Sequence, residues 1–481
     1  MRIKIVLRLL VVVTWIVALP ACDSTKDPAS RPNILFIMVD DLRPQFAAYG
    51  RTGMVTPALD RLAEEGVVFK SAFVNVPVCG ASRASLMTGL RPTSSRFVNY
   101  LARADVDAPG FATLPAHLKA AGYTTLSLGK ILHVEEDSPS AWSQPPWRPD
   151  QDEAVRAATS PRNYLDPANI EADRDEDSKR GEPFERADVP DYAYFDGMIA
   201  EQAIRELGVL SGGNAPFFLA VGFLKPHLPF NAPAQYWDFY DPAAISLAPF
   251  DRMPLNAPKE ARFNWGELRN YRTIPEAPEP VSEDMARKLR HGYYAATSYV
   301  DAQLGKVLQA LEDLDLARDT IVVLMGDHGW SLGEHGLWCK HSLFDVATHT
   351  PLIVRAPGIA PGTANGLVEF VDIYPTLLDM TGMPSLGHLQ GTSMTGTLKD
   401  PAGPGKKAVF PRWKLAENVR TDRYSYTEFR TKDGMLVSHM LYDSVNDSDE
   451  AVNLAVEPEY ASVVTDLQQL ITENIAKRGG W

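Results

Sequence analysis

The sequence predicts an α/β fold in which helices flank a large, mostly parallel sheet and a smaller C-terminal α+β subdomain follows. Four apolar runs lack the alternation of a half-exposed strand, at residues 34–39, 216–223, 321–325 and 350–354. Uninterrupted runs of this length are typical of strands buried on both faces of a sheet. Helical patterns lie between the runs, and alternation of strands with helices is typical of a parallel sheet.

The helical segments and the C-terminal change of pattern can be located along the chain. Apolar residues recur at helical spacing in residues 56–69, 194–210 and 286–314. Short strands followed by a closing helix are predicted at residues 418–430, 435–447 and 458–478. We therefore place a domain boundary after residue 383, with a main domain over residues 32–383 and a subdomain over residues 384–481.

Two long segments are poor in pattern and rich in Pro, Asp, Glu and Arg, at residues 135–191 and 247–280. Long stretches of this kind in a compact domain are often functional loops. We expect surface insertions that shape the rim of a substrate site. A plain solvated loop is the alternative for both segments.

The N-terminus has the pattern of an export signal. Three basic residues precede an apolar run at residues 9–19, which is too short for a good membrane span. The run ends in Leu-Pro-Ala-Cys, which resembles a bacterial lipobox with Cys22 as the lipidated residue. Residues 1–22 are thus predicted to be a signal peptide and residues 23–31 a tether. We expect an exported lipoprotein, periplasmic or at the cell surface, with plain secretion or an uncleaved anchor as alternatives.

The net charge of −14 makes the chain a poor nucleic-acid binder overall, so no nucleic-acid partner is expected. An acidic chain can still contain a local basic pocket. Three Lys–His pairs could provide the positive charge of such a pocket. The pairs are Lys130 with His133, Lys225 with His227, and Lys340 with His341. Together with a metal they would bind a small tetrahedral oxyanion, whereas singly each is an ordinary surface or packing residue.

Two of the buried runs end in acidic residues. Asp40 and Asp41 follow the first run, and Asp327 with His328 follows the run at residues 321–325. Because the carboxyl ends of parallel strands meet at one edge, these side chains are expected to lie together. Adjacent carboxylates favour a hard divalent cation, and a helix cap or solvated turn is the alternative. His328 would add a nitrogen ligand, which is unusual for Ca²⁺ or Mg²⁺.

Cys79 is one of only three cysteines and lies just before a predicted helix at residues 82–87 that ends near Gly89. A helix N-terminus is electropositive and favours thiolates and anions. A simple thiol nucleophile would need a base and an oxyanion hole, and it would leave the acidic strand ends without a role. We expect Cys339 to be a packing residue, with a Cys79–Cys339 disulfide as the alternative.

The segment CGASRASLMTGLRP, residues 79–92, is similar to the signature of type I sulfatases, Cys-x-Pro/Ala-Ser-Arg followed by Leu-x-Thr-Gly. The resemblance covers nearly all of the chain after residue 31, and residues 216–230, 298–308 and 326–354 resemble the iduronate-2-sulfatase branch. It implies an alkaline-phosphatase-like sandwich whose catalytic domain spans residues 32–383. Ala81 stands where Pro is commonest, Leu90 where Arg is common, and His328 where many sulfatases have Asn.

The resemblance implies that a maturation enzyme oxidises Cys79 to formylglycine, whose hydrate is the nucleophile. Ca²⁺, with Mg²⁺ as the lesser alternative, would be held by the hydrate and by Asp40, Asp41, Asp327 and His328. Arg83 would steady the hydrate, and His227 would act as general acid. His133 would remove the second hydroxyl proton. The sulfate would be bound by Lys130, Lys225 and Lys340. The roles of Lys225 and His227 could be exchanged, and His335 and His341 either line the substrate side or pack.

The implied substrate is a sulfated oligosaccharide, with exo-action on a sulfated uronic-acid-type sugar. Two alternatives of other classes stay open. One is a phosphonate or phosphate monoester hydrolase of the same fold. The other is a non-catalytic protein that binds sulfated glycans, should Cys79 stay unconverted.

Overall fold

The predicted buried runs form the centre of a seven-stranded sheet in the part of the chain that the computed structural model describes, residues 31–175 and 179–481. The strands are β1 Asn33–Val39, β2 Val67–Phe69, β3 Thr124–Gly129, β4 Phe217–Phe223, β5 Thr320–Gly326, β6 Leu352–Arg355 and β7 Gly362–Ala364. Their order is β7-β2-β6-β5-β1-β4-β3. The predicted signal peptide, Cys22 and the tether up to residue 30 lie outside the described residues and stay predictions.

Four adjacent strands run parallel to one another, in the order β3, β4, β1 and β5. Strand β6 is antiparallel to both β5 and β2, and β7 is parallel to β2. The expected mostly parallel sheet is therefore confirmed, with the run at residues 350–354 as its reversed member. The carboxyl ends of β3, β4, β1 and β5 meet at one edge of the sheet.

The larger helices are α1 Pro57–Glu65, α2 Cys79–Thr88, α3 Phe195–Ser211, α4 Glu283–Asp313, α5 Ile373–Met380 and α6 Ala461–Lys477. The prediction of one helix over residues 56–69 is confirmed up to Glu65 and wrong over its last four residues. The helix stops at Gly66, where an added Cβ would lie 2.8 Å from the carbonyl oxygen of Val354, and the β-branched residues that follow form β2. Among the described residues, no helix is both long and apolar enough to cross a membrane.

Both faces of the sheet are covered, which explains the uninterrupted apolar runs. Side chains of β1 alternate between two cores: Ile34, Phe36 and Met38 face α2 and α5, whereas their neighbours face α1, α3 and α4. All seven residues of β1 are buried. A strand with no solvated face has no polar alternation for a sequence to show.

The C-terminal region has the predicted α+β elements. Strands β8 Arg412–Trp413, β9 Ala416–Arg420, β10 Tyr424–Arg430 and β11 Leu436–Asp443 form a four-stranded antiparallel sheet. Helix α6 packs on this sheet through Val464, Leu467 and Ile471. The boundary after residue 383 stays a prediction, because residues 32–481 form a single compact unit.

The two pattern-poor segments are packed onto the domain, so the plain solvated loop is wrong for both. The first contains the short helices Glu153–Ala158 and Pro167–Arg174 and the strand Phe184–Ala187, which pairs with Phe230–Pro233. The second contains the helical turn Gly266–Arg269. Buried aromatic residues from both, Tyr164 and Tyr271, belong to one apolar cluster with the side chains of α4.

Candidate active site

The structure brings most of the predicted site residues together at the carboxyl edge of the sheet. Asp40 and Asp41 follow β1, and Asp327 and His328 follow β5. The remaining strand ends contribute cations: Lys130 follows β3, and Lys225 and His227 follow β4. Except for Lys225, each of these side chains lies beside a residue that follows another strand, as expected for parallel strands that end at one edge.

Four ligand atoms could hold a cation at this edge. Those of Asp40, Cys79, Asp327 and His328 lie within 4.8 Å of one another, and all four residues are buried. A second group of this kind consists of Asp41, Cys79 and His227. Buried carboxylate oxygens that converge in this way fit a hard divalent cation.

The backbone of Asp41 is held in an unusual conformation. Its φ of 61° lies in the left-handed region, which is uncommon for a residue other than glycine. The Asp41 amide donates to Asp327 Oδ1 at 3.0 Å, and the Tyr293 hydroxyl donates to the Asp41 carbonyl at 2.8 Å. These bonds hold the backbone of Asp41, and its carboxylate Oδ1 lies 3.4 Å from Nε2 of His328, which follows β5.

Arg83 is the counter-ion of the acidic cluster. It is fully buried, its Nε donates to Asp327 Oδ2 at 2.9 Å, and its Nη2 donates to Asp40 Oδ1 at 3.2 Å. Nη1 donates to the carbonyl oxygens of Lys130 and Ile131. Arg83 therefore contacts two carboxylates of the cluster, and its expected role toward the hydrate stays a prediction.

The two neighbouring aspartates have opposite electrostatic environments. Burial raises the pKa of Asp40, but Lys130, His227 and Arg83 outweigh burial and hold that pKa well below its usual value. Burial raises the pKa of Asp41 well above its usual value, in spite of Lys340. A cation beside Asp41 would favour its ionised form, so the residues present fit a metal.

Cys79 is the first residue of α2, so the predicted position at a helix N-terminus is observed. Its Sγ lies 3.3 Å from Nε2 of His328, and burial raises the pKa of the thiol to about 12. The next residue must be glycine, because an added Cβ at Gly80 would lie 1.9 Å from the carbonyl oxygen of Tyr100. Cys79 and Cys339 are both free and buried, so Cys339 is a packing residue and the disulfide alternative is wrong.

Lys130, Lys340 and His227 surround the same cluster. Lys130 Nζ pairs with Asp40 Oδ2, and Lys340 Nζ lies 3.2 Å from Asp41 Oδ1. His227 Nδ1 donates to the carbonyl of Leu228 at 2.6 Å, and its Nε2 lies 3.8 Å from Asp41 Oδ2. Burial lowers the pKa of His227 to about 4.

Lys225 is placed differently from the other lysines. Its Nζ donates to the carbonyl oxygens of Pro229 at 2.6 Å and His227 at 3.1 Å, so it holds the loop that carries His227. Burial lowers the pKa of Lys225 to about 8. In this arrangement the backbone engages two of the three N–H donors of its ammonium group, which leaves one donor for other contacts.

Three further histidines were predicted near the site. His133 lies at the edge of the cluster with its ring 5.7 Å from Tyr100, and its Nδ1 has no hydrogen-bond partner among the described residues. His341 contacts Trp413, with 5.2 Å between ring centroids. His335 stacks on Phe344 at 4.0 Å and also lines a cavity with Arg43 and Glu334, so both alternatives for that residue stay predictions.

Sequence reasoning missed two residues at the site, Glu267 and Trp330. Glu267 Oε1 accepts from Lys340 Nζ at 2.9 Å and also lies 2.9 Å from His227 Nε2. Trp330 is buried, and Lys340 Nζ lies 4.7 Å from its ring centroid. Trp330 lies two residues after His328, so its nearness to a predicted site residue could have identified it. Glu267 belongs to a segment without a recognisable pattern, and no sequence feature could have identified it.

Comparison with known proteins gives consistent matches. A model of the Sulfatase family matches residues 32–383, and a model described as N-sulphoglucosamine sulphohydrolase, C-terminal, matches residues 333–477. The chain is 37% identical to human iduronate 2-sulfatase over 392 residues, which cover 73% of this chain and 69% of that protein. It is 29% identical to a sulfatase of Formosa agariphila, over 93% of this chain and 87% of the relative.

Two solved structures share the fold. The phosphonate monoester hydrolase of Agrobacterium radiobacter has a TM-score of 0.76 at 24% identity and covers 93% of this chain and 96% of its own. A second protein was solved in complex with its own substrate, D-glucosamine-2-N,6-O-disulfate. That structure has a TM-score of 0.73 at 21% identity, and the match covers 93% of this chain and 98% of the other.

Proposed function

Because this chain belongs to the sulfatase family and is a sulfuric ester hydrolase, we propose that it is an exported enzyme that removes sulfate esters from carbohydrates. Its substrate is a sulfated uronic-acid-type sugar on which it acts from the chain end. Its nucleophile is formylglycine made from Cys79 by a maturation enzyme, and its metal is Ca²⁺. A lipid on Cys22 holds it at the membrane, on the periplasmic or outer surface.

The observation that carries this proposal is the convergence on Cys79. Cys79 is the first residue of α2, and its Sγ lies within 4.8 Å of ligand atoms of Asp40, Asp327 and His328. Lys130 and Lys340 pair with the same acidic cluster. Residue 79 thus lies between a cation site and two lysines. Hydrolysis of an anionic ester requires positive charge of this kind beside the nucleophile.

Asp40, Asp41, Asp327 and His328 would hold the metal, and the oxygen atoms of converted Cys79 would take the place of Sγ. A bound divalent cation supplies activation of a hydroxyl nucleophile and compensation of the sulfate charge. A bound cation would favour the ionised form of Asp41, whose pKa burial holds well above its usual value. The 37% identity to human iduronate 2-sulfatase supports a sulfatase activity for this chain.

The side chains around the nucleophile divide the remaining tasks. Lys130 and Lys340 bind sulfate oxygens, and their charge stabilises the negative charge that grows there. His227 donates a proton to the oxygen of the leaving alcohol, and an anionic ester beside the ring favours its protonated form. His133, whose Nδ1 has no partner among the described residues, accepts a proton from the nucleophile side chain.

A direct test compares an aryl sulfate with the matching aryl phosphate and phosphonate monoester, with matured protein and Ca²⁺. A kcat/KM at least tenfold higher for the sulfate supports the sulfatase. Preference for the phosphonate would select the second candidate, a phosphonate monoester hydrolase, whose fold this chain shares with a TM-score of 0.76. Binding of sulfated sugars with no turnover of any ester would indicate the non-catalytic alternative.

A further inference from the structure

The hairpin between β8 and β9 reaches the candidate active site from the C-terminal sheet. It turns directly after Trp413. Trp413 packs against the apolar cluster that contains Val78, the residue before Cys79. Its ring centroid also lies 5.2 Å from that of His341, which follows Lys340 in the chain. The tip of this hairpin therefore lies between the segment of the nucleophile position and the segment of a proposed sulfate-binding lysine.

The position of the tip is fixed by aromatic rings from three separate segments. The His341 ring lies 5.9 Å from that of Phe263, at an interplanar angle of 87°, and is tilted by 30° against that of Trp413. Phe263 belongs to the pattern-poor segment at residues 247–280. Ring contacts of this kind are directional, so they hold Trp413 and with it the turn that follows.

Lys414, the first residue of the turn, has a backbone conformation that favours glycine. Its φ of 51° lies in the left-handed region. Glycine is the usual residue at the first position of a two-residue hairpin turn when φ is positive there. Residues held in sparsely populated backbone conformations cost free energy and are concentrated at functional sites. Formation of the turn alone therefore does not explain why a lysine stands here.

The ammonium group of Lys414 is not neutralised by the protein. Lys414 is exposed and has no ion-pair partner in the part of the chain that the structure describes. Its Nζ lies 5.5 Å from the ring centroid of Trp413, and a contact of this kind is weak at an exposed site and leaves the charge in place. Lys340, in contrast, forms ion pairs with Asp41 and Glu267. The two lysines therefore serve different groups.

The charge of Lys414 acts on the candidate active site. Burial is the main cause that lowers the pKa of His341 to about 4, and the charge of Lys414 is a further cause. Lys340 and Lys414 are the chain neighbours of two rings whose centroids lie 5.2 Å apart, a separation that one sugar ring can span. An anion bound by Lys414 would thus belong to the same sugar as a sulfate bound by Lys340.

We propose that Lys414 binds a second anionic group, a carboxylate or a further sulfate, on the sugar that carries the reacting sulfate. Trp413 supports Lys414 in this position. The inference rests on the proposed function, because it names the class of sugar that the same site accepts. A sugar with one sulfate and no other charge lacks the group that Lys414 binds, so the site should prefer sugars with two anionic groups.

The test is calorimetric titration of the Cys79→Ala protein, which lacks the nucleophile, in the presence of Ca²⁺. Three methyl glycosides that differ only at C6 serve as probes: idose 2-sulfate, idose 2,6-disulfate and iduronic acid 2-sulfate. We expect at least one of the two probes charged at C6 to bind at least about fivefold more tightly than the neutral one, and Lys414→Gln to reduce this preference below about twofold. The probe whose preference is lost identifies the second group as carboxylate or sulfate.

Two controls separate this role from a general effect of charge. Lys432→Gln removes an exposed lysine from the next hairpin of the same sheet and should leave the preference unchanged. Lys414→Arg keeps the charge and should keep the preference. Equal affinity of the parent protein for all three probes, an unchanged preference in Lys414→Gln, or an equal loss in Lys432→Gln would overturn the inference.

The support from Trp413 has its own measurement. Trp413→Leu keeps an apolar side chain but removes the ring under Lys414, so the preference should fall. In a Lys414→Gln background the same change should alter the preference by less than about twofold, because the group that it supports is gone. A larger further change would refute the supporting role.

The failure of the wider proposal has a different result. Wild-type protein with converted Cys79 that does not hydrolyse 4-nitrophenyl sulfate would refute the proposed function and this inference with it. Turnover of 4-nitrophenyl sulfate combined with an unchanged preference in Lys414→Gln would refute only the role of Lys414.

Discussion

Replacing Arg83 by Met should destabilise the protein strongly, and by an amount that depends on metal. The Arg83 side chain has no exposed surface and, besides its bonds to backbone carbonyl oxygens, makes two hydrogen bonds to carboxylates, those of Asp327 and Asp40. At about 1.5–3 kcal/mol for each bond, their loss amounts to ~3–6 kcal/mol. Breaking a buried ion pair from one side typically costs ~3–5 kcal/mol, which agrees with this sum.

The assay is denaturant unfolding of Arg83→Met and the wild type, followed by tryptophan fluorescence, first with a chelator and then with Ca²⁺. The control is Arg103→Met, because Arg103 and its partner Asp105 are 30% and 34% exposed and such surface pairs contribute ~0–1 kcal/mol. With chelator, we expect Arg83→Met to lose ~3–5 kcal/mol of the free energy of unfolding. With Ca²⁺ the loss should shrink, since the cation compensates the same carboxylates. Equal stability of the two variants in chelator would refute the reasoning.

Four further predictions concern metal, catalysis, pH and anchoring. Asp327→Ala should lose bound metal and turnover together, and a metal-replete active variant, measured by elemental analysis, would remove Asp327 from the site. His227→Ala should lower kcat/KM on phenyl sulfate at least about tenfold more than on 4-nitrophenyl sulfate, and an equal loss on both would refute the general-acid role. Burial raises the pKa of Glu450 from 4.5 to about 8, so its folded state retains a proton that the unfolded chain releases and stability falls between these pH values. Glu450→Gln should then unfold at a higher temperature than the wild type at pH 8–9 but not near pH 4.5, and a constant difference across this range would contradict the assignment. Cys22→Ser should release the protein from the membrane fraction of its host, whereas continued sedimentation with membranes would argue against lipid anchoring.

Asp40, Asp41 and Asp327 share one physical property: they follow strands with no solvated face. Such strands are visible as apolar runs, and their carboxyl ends meet because the strands are parallel, so Asp40, Asp41 and Asp327 could be placed together in advance. The motif that starts at Cys79 added the helix N-terminus. Strand β2 was hidden, because its three residues continue a helical pattern across Gly66.

The residues that sequence reasoning could not place depend on tertiary contacts between distant segments. Glu267 reaches His227 and Lys340 only because the turn at Gly266–Arg269 packs beside the strand ends. Lys225 was expected to bind sulfate, yet its Nζ is bonded to the carbonyl oxygens of its own loop. Neither arrangement can be recognised from neighbouring residues in the sequence, because each depends on the path of an irregular loop in the folded structure.

The central claim is that Cys79 acts only after conversion to formylglycine, and mass spectrometry of the tryptic peptide at residues 71–83 tests it most directly. The protein should be made in its native host, because conversion depends on the maturation enzyme there. The account predicts an aldehyde or its hydrate at Cys79, together with turnover of aryl sulfates that Cys79→Ala abolishes while the fold is kept. An unmodified thiol in protein that still hydrolyses sulfate esters would contradict it.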